Sequence, residues 1–273
     1  MAIRICVVNI QKEKGSQLFI AATEKALQKV RRPDTEITIK LLKRGANTHP
    51  QMTNYYGLFL TGVEIIDRVL EAENEGYDAV VVNGTLDRFL GIQQAKAVVN
   101  IPVISPLEAT MLHACLLGRK FGMVALGAPY LKAFIESIIV EHSLQSRAIS
   151  NPMKFMAIKH KDLMSKVMED PSLIIPPVVE AAKRCVEDGA EVIILIGTNL
   201  GVTCTLAGIS SVDIDGLEVP LLNPLAIALK TAETMVDLEE KLGLPPVSRI
   251  GLHRPVSRDD LKGLREQFGL ETP

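Results

Sequence analysis

The stretches Tyr77-Asp78-Ala79-Val80-Val81-Val82-Asn83-Gly84-Thr85 and Ala190-Glu191-Val192-Ile193-Ile194-Leu195-Ile196-Gly197-Thr198 decide the fold. Each is an unbroken aliphatic run that ends in a Gly-Thr pair. Each follows a helical pattern, from about Phe59 to Asn74 and from about Pro177 to Glu187, with a glycine turn at Gly76 or Gly189 between helix and run. Continuous apolar runs of this length fit strands buried on both faces, the usual state of a parallel strand. Gly84 and Gly197 lie too far apart for a solenoid repeat and suit two similar half-molecules. The chain therefore reads as a pseudo-twofold duplication.

Outward from these stretches, strand and helix signals alternate. Ile3 to Val8 and Glu36 to Leu42 read as strands, with a helix from near Ser16 between them. A long polar connection runs from Lys43 to Gly57, and a loop of that length usually has a function. A short strand at Pro102 to Ile104, a helix through His113 and Cys115, a strand at Phe121 to Leu126 and a helix after Tyr130 lie between the two copies. Val219 to Leu222 reads as a last strand and Pro224 to Leu242 as a helix returning to the first lobe. The polar tail from Pro245 to Pro273 is expected to be mobile, with a short strand at Arg249 to Leu252. The fold class is α/β: two pseudo-symmetric lobes, each a parallel sheet flanked by helices, with a cleft between them. Residues 1–105 plus 219–273 are expected to form the first lobe and 106–218 the second.

Composition narrows the function. Of 273 residues, 47% are hydrophobic and 23% charged, and 30 basic residues nearly balance 32 acidic ones. Nothing concentrates the positive field that a nucleic acid requires, so the expected partners are small molecules. No stretch approaches a membrane span and the N-terminus is too short in apolar residues to be a secretion signal; a cytoplasmic protein is expected. The four cysteines, Cys6, Cys115, Cys185 and Cys204, have no metal spacing and suit buried thiols. His113 and Cys115 face different sides of their helix, and no metal is assigned.

In parallel sheets ligands sit beyond the carboxyl ends of the strands. Asn9, Asn83-Gly84-Thr85, the loop from Leu126 to Tyr130, and Gly197-Thr198-Asn199 all fall at such ends. Glycine lets a ligand approach the backbone, and each threonine adds an amide and a hydroxyl suited to a carboxylate or a developing oxyanion. A Gly-Thr pair is also an ordinary turn and helix cap, and its recurrence leaves both readings open.

The order and spacing of these pieces resemble the aspartate/glutamate/hydantoin racemase superfamily over most of residues 1 to 240. The carrying residues are Asn9, Asp78 to Val82, Pro102 to Gly118 with Glu108-Ala109, Gly118 to Phe121, Asp188 to Val192, and Val219 to Leu221. The resemblance implies a cleft in which two opposed cysteines move a proton to and from an α-carbon, with no metal or cofactor. Here those two positions are Gly84 and Gly197, which cannot transfer a proton. Cys204, seven residues past Gly197, is a poor substitute. Arylmalonate decarboxylase also resembles the chain, having glycine then threonine at the first position and a tyrosine matching Tyr130; by that analogy Thr85 and Tyr130 are oxyanion donors. It retains the second cysteine, from which Gly197 departs.

Candidates to replace the thiols are His49, Tyr130 and Asp87, with Lys12, Tyr55, Tyr56 and Glu108 also on loops or strand ends. A histidine works as a base near neutral pH, but His49 also suits a solvated loop; Asp87 and Glu108 also suit helix starts. The substrate-binding set is Asn9, Asn83, Gly84, Thr85, Gly197, Thr198 and Asn199. The leading expectation is a cofactor- and metal-independent enzyme acting on a small carboxylate, imide or cyclic ureide, as a homo-oligomer. A non-catalytic binder of small carboxylates and a racemase using another thiol are the alternatives.

Overall fold

The computed structural model describes residues 2–12, 17–45, 54–86, 89–127, 130–158, 162, 166, 167 and 169–271. Strand β1 (Ile3–Lys12) leads through α1 (Gln17–Val30) to β2 (Thr35–Leu42), then α2 (Tyr55–Asn74) and β3 (Ala79–Asn83). Helix α3 (Ile92–Val98), β4 (Val103–Ile104) and α4 (Pro106–Leu117) complete the first half. The second half runs β5 (Phe121–Leu126), α5 (Leu131–Glu141), β6 (Ala148–Met156), α6 (Ile175–Glu187), β7 (Val192–Ile196) and α7 (Thr198–Ala207). A hairpin of β8 (Ser211–Ile214) and β9 (Leu217–Leu222), then α8 (Pro224–Leu242) and α9 (Arg258–Gln267), closes the chain.

The first sheet has order β2-β1-β3-β4 and is wholly parallel; the second has order β6-β5-β7-β9-β8. Replacing β1, β2, β3 and β4 by β5, β6, β7 and β9 reproduces the order, which is the duplication expected from the two aliphatic runs. The second sheet departs from the all-parallel expectation at its edge, where β8 pairs antiparallel with β9. Asp215 (φ 54°) and Gly216 (φ 81°) supply the two positive φ angles that a tight two-residue hairpin needs. Strand β9 pairs with β7 in the second sheet. The chain leaves that sheet after Leu222.

Both faces of β3, β5 and β7 are buried, which explains their near-continuous apolar runs. Ile5, Val7, Ala79 and Val81 pack with Leu225, Ala228 and Leu229 of α8, Val202 of α7 and Ala109 of α4. On the second sheet, Met123, Ala125, Ile194 and Ile196 pack with Leu107 and Met111 of α4 and with Ile135 and Ile138 of α5. Helices α4 and α8 pack together between the sheets. Each fully buried Leu, Ile or Met contributes about 1.5–3 kcal/mol. No helix of the described residues is long and apolar enough to cross a membrane.

The C-terminal segment is docked rather than mobile, and Gly251–His253 is a short 3-10 turn instead of the expected strand. Ser257 caps α9, Leu261 joins the cluster beneath α2, and the buried Arg265 donates to Asp67 Oδ1 at 2.6 Å. Arg249 donates to the Lys96 carbonyl and to Asn100 at 3.0 Å each, closing the end of α3. Asp67 is otherwise met by Arg44, a largely exposed side chain, at 3.2 Å. Arg265→Ala is expected to destabilise the protein by about 3 kcal/mol, the usual cost of stranding one member of a buried ion pair. Urea unfolding measures the loss, and earlier proteolysis within residues 244–271 shows whether α9 is the part released.

Candidate functional site

Two kinds of contact join the halves on the side of the strand ends. Helix α1, which follows β1, packs on α7, which follows β7. The segment after β3 meets the helix after β5 through three rings: Phe89 and Phe134 lie 4.9 Å apart between centroids, and Tyr55 stands 5.5 and 5.4 Å from them. Edge-to-face rings at these distances hold each other's orientation as well as burying area.

Helix α7 is positioned closely. A β-carbon on Gly201 would stand 2.2 Å from Asn223 Oδ1, so only glycine allows this approach. That Asn223 oxygen caps α8 by accepting from Leu225 N at 3.0 Å, while its Nδ2 donates to Thr205 Oγ1 at 2.8 Å. The start of α7 is thereby held against the start of α8. Gly197 joins β7 directly to α7 with φ 95° and ψ 120°, a backbone shape that side chains rarely adopt. Its carbonyl accepts from Leu200 N and Gly201 N. At such a helix start the first amides have no carbonyl one turn earlier to bond. Thr198 is buried, and Asn199 is half-buried beside it.

At the matching end of β3, Gly84 N donates to Val82 O at 2.8 Å in a tight turn. A β-carbon on Gly84 would meet Leu90 Cδ1 at 2.7 Å and Ile10 at 3.4 Å. Among the described residues, neither the Thr85 nor the Thr198 hydroxyl makes a hydrogen bond within the protein, and both residues are less than a tenth exposed. Asn9 and Asn83 are register partners across β1 and β3, each 1% exposed, and the strand regularity of β1 breaks immediately after Asn9.

The other expected residues divide. Tyr130 opens α5 and is 41% exposed. Tyr55 belongs to the ring cluster; Tyr56 lines a separate cavity of about 610 Å³ with Arg44, Leu60 and Glu64. Glu108 sits in the first turn of α4, capped by Ser105, with Lys96 Nζ at 3.2 Å and His142 Nδ1 at 3.8 Å, which is a structural role. His49, Asp87 and the side chain of Lys12 lie outside the described residues. Cys6, Cys185 and Cys204 are buried in the cores, and desolvation pushes each thiol up to about 12. Cys115 lies half-buried on α4. Among the described residues no group of three His, Cys, Asp or Glu side chains is placed to hold a metal ion.

One feature was not legible from the motifs. The second-lobe counterparts of Asn9 and Asn83 are the register partners Ala125 and Ile196. Polar and apolar pairs therefore occupy equivalent places in the two halves. The signal exists in the sequence only once the register of two distant strands is known.

A family model described as Asp/Glu/Hydantoin racemase matches residues 6–232. The hydantoin racemase of Pseudomonas sp. (strain NS671) is 26% identical over 253 residues, covering 90% of each chain. The allantoin racemase from Klebsiella pneumoniae has a TM-score of 0.74 at 19% identity, over 94% of each chain. A glycine-to-cysteine variant of arylmalonate decarboxylase, with associated sulfate ion, has a TM-score of 0.53 at 14% identity, over 86% of this chain and 93% of that one. The two structural likenesses support the shared fold.

The glycines at the two strand ends differ in why they are needed, and substitution separates the causes. Gly197→Ala forces a β-carbon onto a φ of 95° and is expected to cost about 2–3 kcal/mol. Gly84→Ala displaces only the end of the Leu90 side chain and is expected to cost about 1 kcal/mol. Urea denaturation of both variants checks the order; equal losses would contradict it.

Proposed function

This chain belongs to the Asp/Glu/Hydantoin racemase family, and on that premise we propose that it acts on a small carboxylate, imide or cyclic ureide without the family's two-thiol proton transfer. The observation that carries the reading is the pair of matching strand ends. Gly84-Thr85 and Gly197-Thr198 stand at the places where the family resemblance sets its cysteines, while three of the four thiols are buried in cores with raised pKa values. A thiol at about 12 is protonated at neutral pH and is a poor base. Hydantoin racemase and allantoin racemase are named for cyclic ureides, and the family's description adds Asp and Glu; these names support the proposed substrate range.

In this reading the threonine hydroxyls and the first amides of α7 receive the substrate's carbonyl or carboxylate oxygen. They stabilise it as charge develops, since donors fixed in a low-dielectric site need not reorganise. Tyr130, His49 and Asp87 are the candidates to move the proton, and no metal or cofactor is invoked. Decarboxylation, amide or C–N cleavage, and one-sided proton transfer are compatible with such a site. Racemisation by two opposed thiols is not.

A second reading, a non-catalytic binder of small carboxylates, is favoured by one observation: the two matching turns, Asn83-Gly84-Thr85 and Gly197-Thr198-Asn199, carry no ionisable side chain. Incubation with amino acids, hydantoins, malonates and cyclic amides is expected to consume at least one of them. Stabilisation by a compound that is never consumed would establish the binder instead. Thr85→Val and Thr198→Val are each expected to weaken binding or turnover several-fold to tenfold, as loss of one hydrogen bond does. Native protein treated with iodoacetamide at pH 8 is expected to retain its activity; inactivation would restore a thiol mechanism.

A further inference from the structure

Asn83 has 1% of its surface exposed, and neither its Nδ2 nor its Oδ1 meets a hydrogen-bond partner among the described residues. Among the described residues it is alone in leaving both polar atoms of a buried amide unmatched. Burying such a group costs stability, so a fold that retains it has another use for it. Asn83 is the last residue of β3, immediately before Gly84-Thr85. Strand alternation puts its side chain on the same face as Ala79 and Val81, the face that packs toward α7 and α8. The amide therefore stands at the strand end, on the side turned to the second lobe, with Asn9 as its register neighbour.

A side-chain amide offers one donor and one acceptor side by side. Its complement is another such edge: the adjacent N–H and C=O of an amide, imide or ureide. A carboxylate offers two acceptors and would leave Asn83 Oδ1 facing a second oxygen. In the equivalent place of the second lobe stands Ile196, 3% exposed, beside Ala125, and that half has no such edge to offer.

We propose that Asn83 is a specificity-determining residue that binds the neutral N–H/C=O edge of the ligand and, because Ile196 replaces it in the other lobe, admits the ligand in one orientation only. The inference rests on the reading of the strand ends as the ligand pocket. Its consequence is unequal treatment of the two hands of a chiral ligand. With the N–H/C=O edge held on the amide half, the two hands turn their substituents to different sides of the pocket, and only one of them meets the apolar half favourably.

The test uses the full chain with three probes: the separated enantiomers of 5-ethyl-5-methylhydantoin, which have no exchangeable proton on the ring carbon and so keep their configuration, and malonate as the carboxylate arm. Affinities are measured by calorimetry and melting temperatures in the absence of probe. Wild-type protein is expected to favour one hydantoin enantiomer by at least tenfold. Asn83→Leu is expected to melt higher, because an unmatched buried amide has been removed, yet to lose at least tenfold in hydantoin affinity and most of the enantiomer preference. Asn83→Asp, which gives up the donor, is expected to weaken hydantoin binding as well and serves if the leucine variant does not fold. Equal binding of both enantiomers, hydantoin affinity unchanged in the variants, or a lower melting temperature for Asn83→Leu would each overturn the proposal. Binding of malonate, weakened by Thr198→Val, with no binding of either hydantoin, would overturn it while leaving the pocket intact. Failure of all three probes would remove the pocket reading itself.

Discussion

The approach of Gly201 to Asn223 is the contact on which the arrangement of the strand ends depends. Asn223 follows β9 and caps α8, a helix whose apolar side packs against the first sheet. Helix α7 begins without a linker after β7, the central strand of the second sheet. Pressing α7 onto Asn223 therefore references the end of the second sheet's central strand to the first sheet, across a span that no local interaction controls. A β-carbon at residue 201 would push α7 away and with it Thr198 and Gly197. On the opposite side the same task falls to rings, with Phe89 of the first half against Phe134 of the second. One join is made by a backbone-to-amide approach and the other by aromatic area, so the two joins differ even though the strand order is duplicated.

What was legible in the sequence was whatever a short window expresses. The aliphatic runs of β3, β5 and β7 are buried on both faces, so their pattern is continuous and their ends coincide with the first polar or glycine residue. Strand β6 lies at a sheet edge, carries the exposed Ser150 and Asn151 before Pro152, and shows neither alternation nor a continuous run. The hairpin of β8 and β9 is announced by Asp215-Gly216, a strong turn signal, but the strand before it has only four residues. The helix α9 reads as polar because most of its residues are exposed; what docks it is Arg265 on Asp67, a partnership between residues almost two hundred positions apart. Propensity cannot report such a pair.

The candidate site divides in the same way. Gly-Thr after a strand is a local motif and could be read twice from the chain. The inequality between Asn9-Asn83 and Ala125-Ile196 is a property of strand pairing, and register is set by packing of whole faces rather than by the residues concerned. Glu108 was open to both readings from the chain. Its place at a helix start suited a site as well as an acid facing the helix dipole, and in the structure Ser105 accepts from its amide while its carboxylate meets Lys96 and His142.

Duplicated frames give two equivalent positions for chemistry, and two-thiol proton exchange uses that equivalence directly, since each face of an α-carbon meets the same group. On the proposal that Gly84 and Gly197 stand at the two thiol positions, nothing in the chemistry requires the halves to remain alike. Backbone geometry then responds separately on each side: Gly197 occupies a φ of 95°, open to glycine and strained for a cysteine, whereas Gly84 has ordinary angles and only Leu90 and Ile10 crowding it. Three of the chain's four thiols are in positions where desolvation holds them, as Cys6, Cys185 and Cys204, in their neutral form. The two turns are therefore unlike: one takes a φ that only glycine adopts readily, beside apolar neighbours, and the other lies beside the buried amides of Asn9 and Asn83.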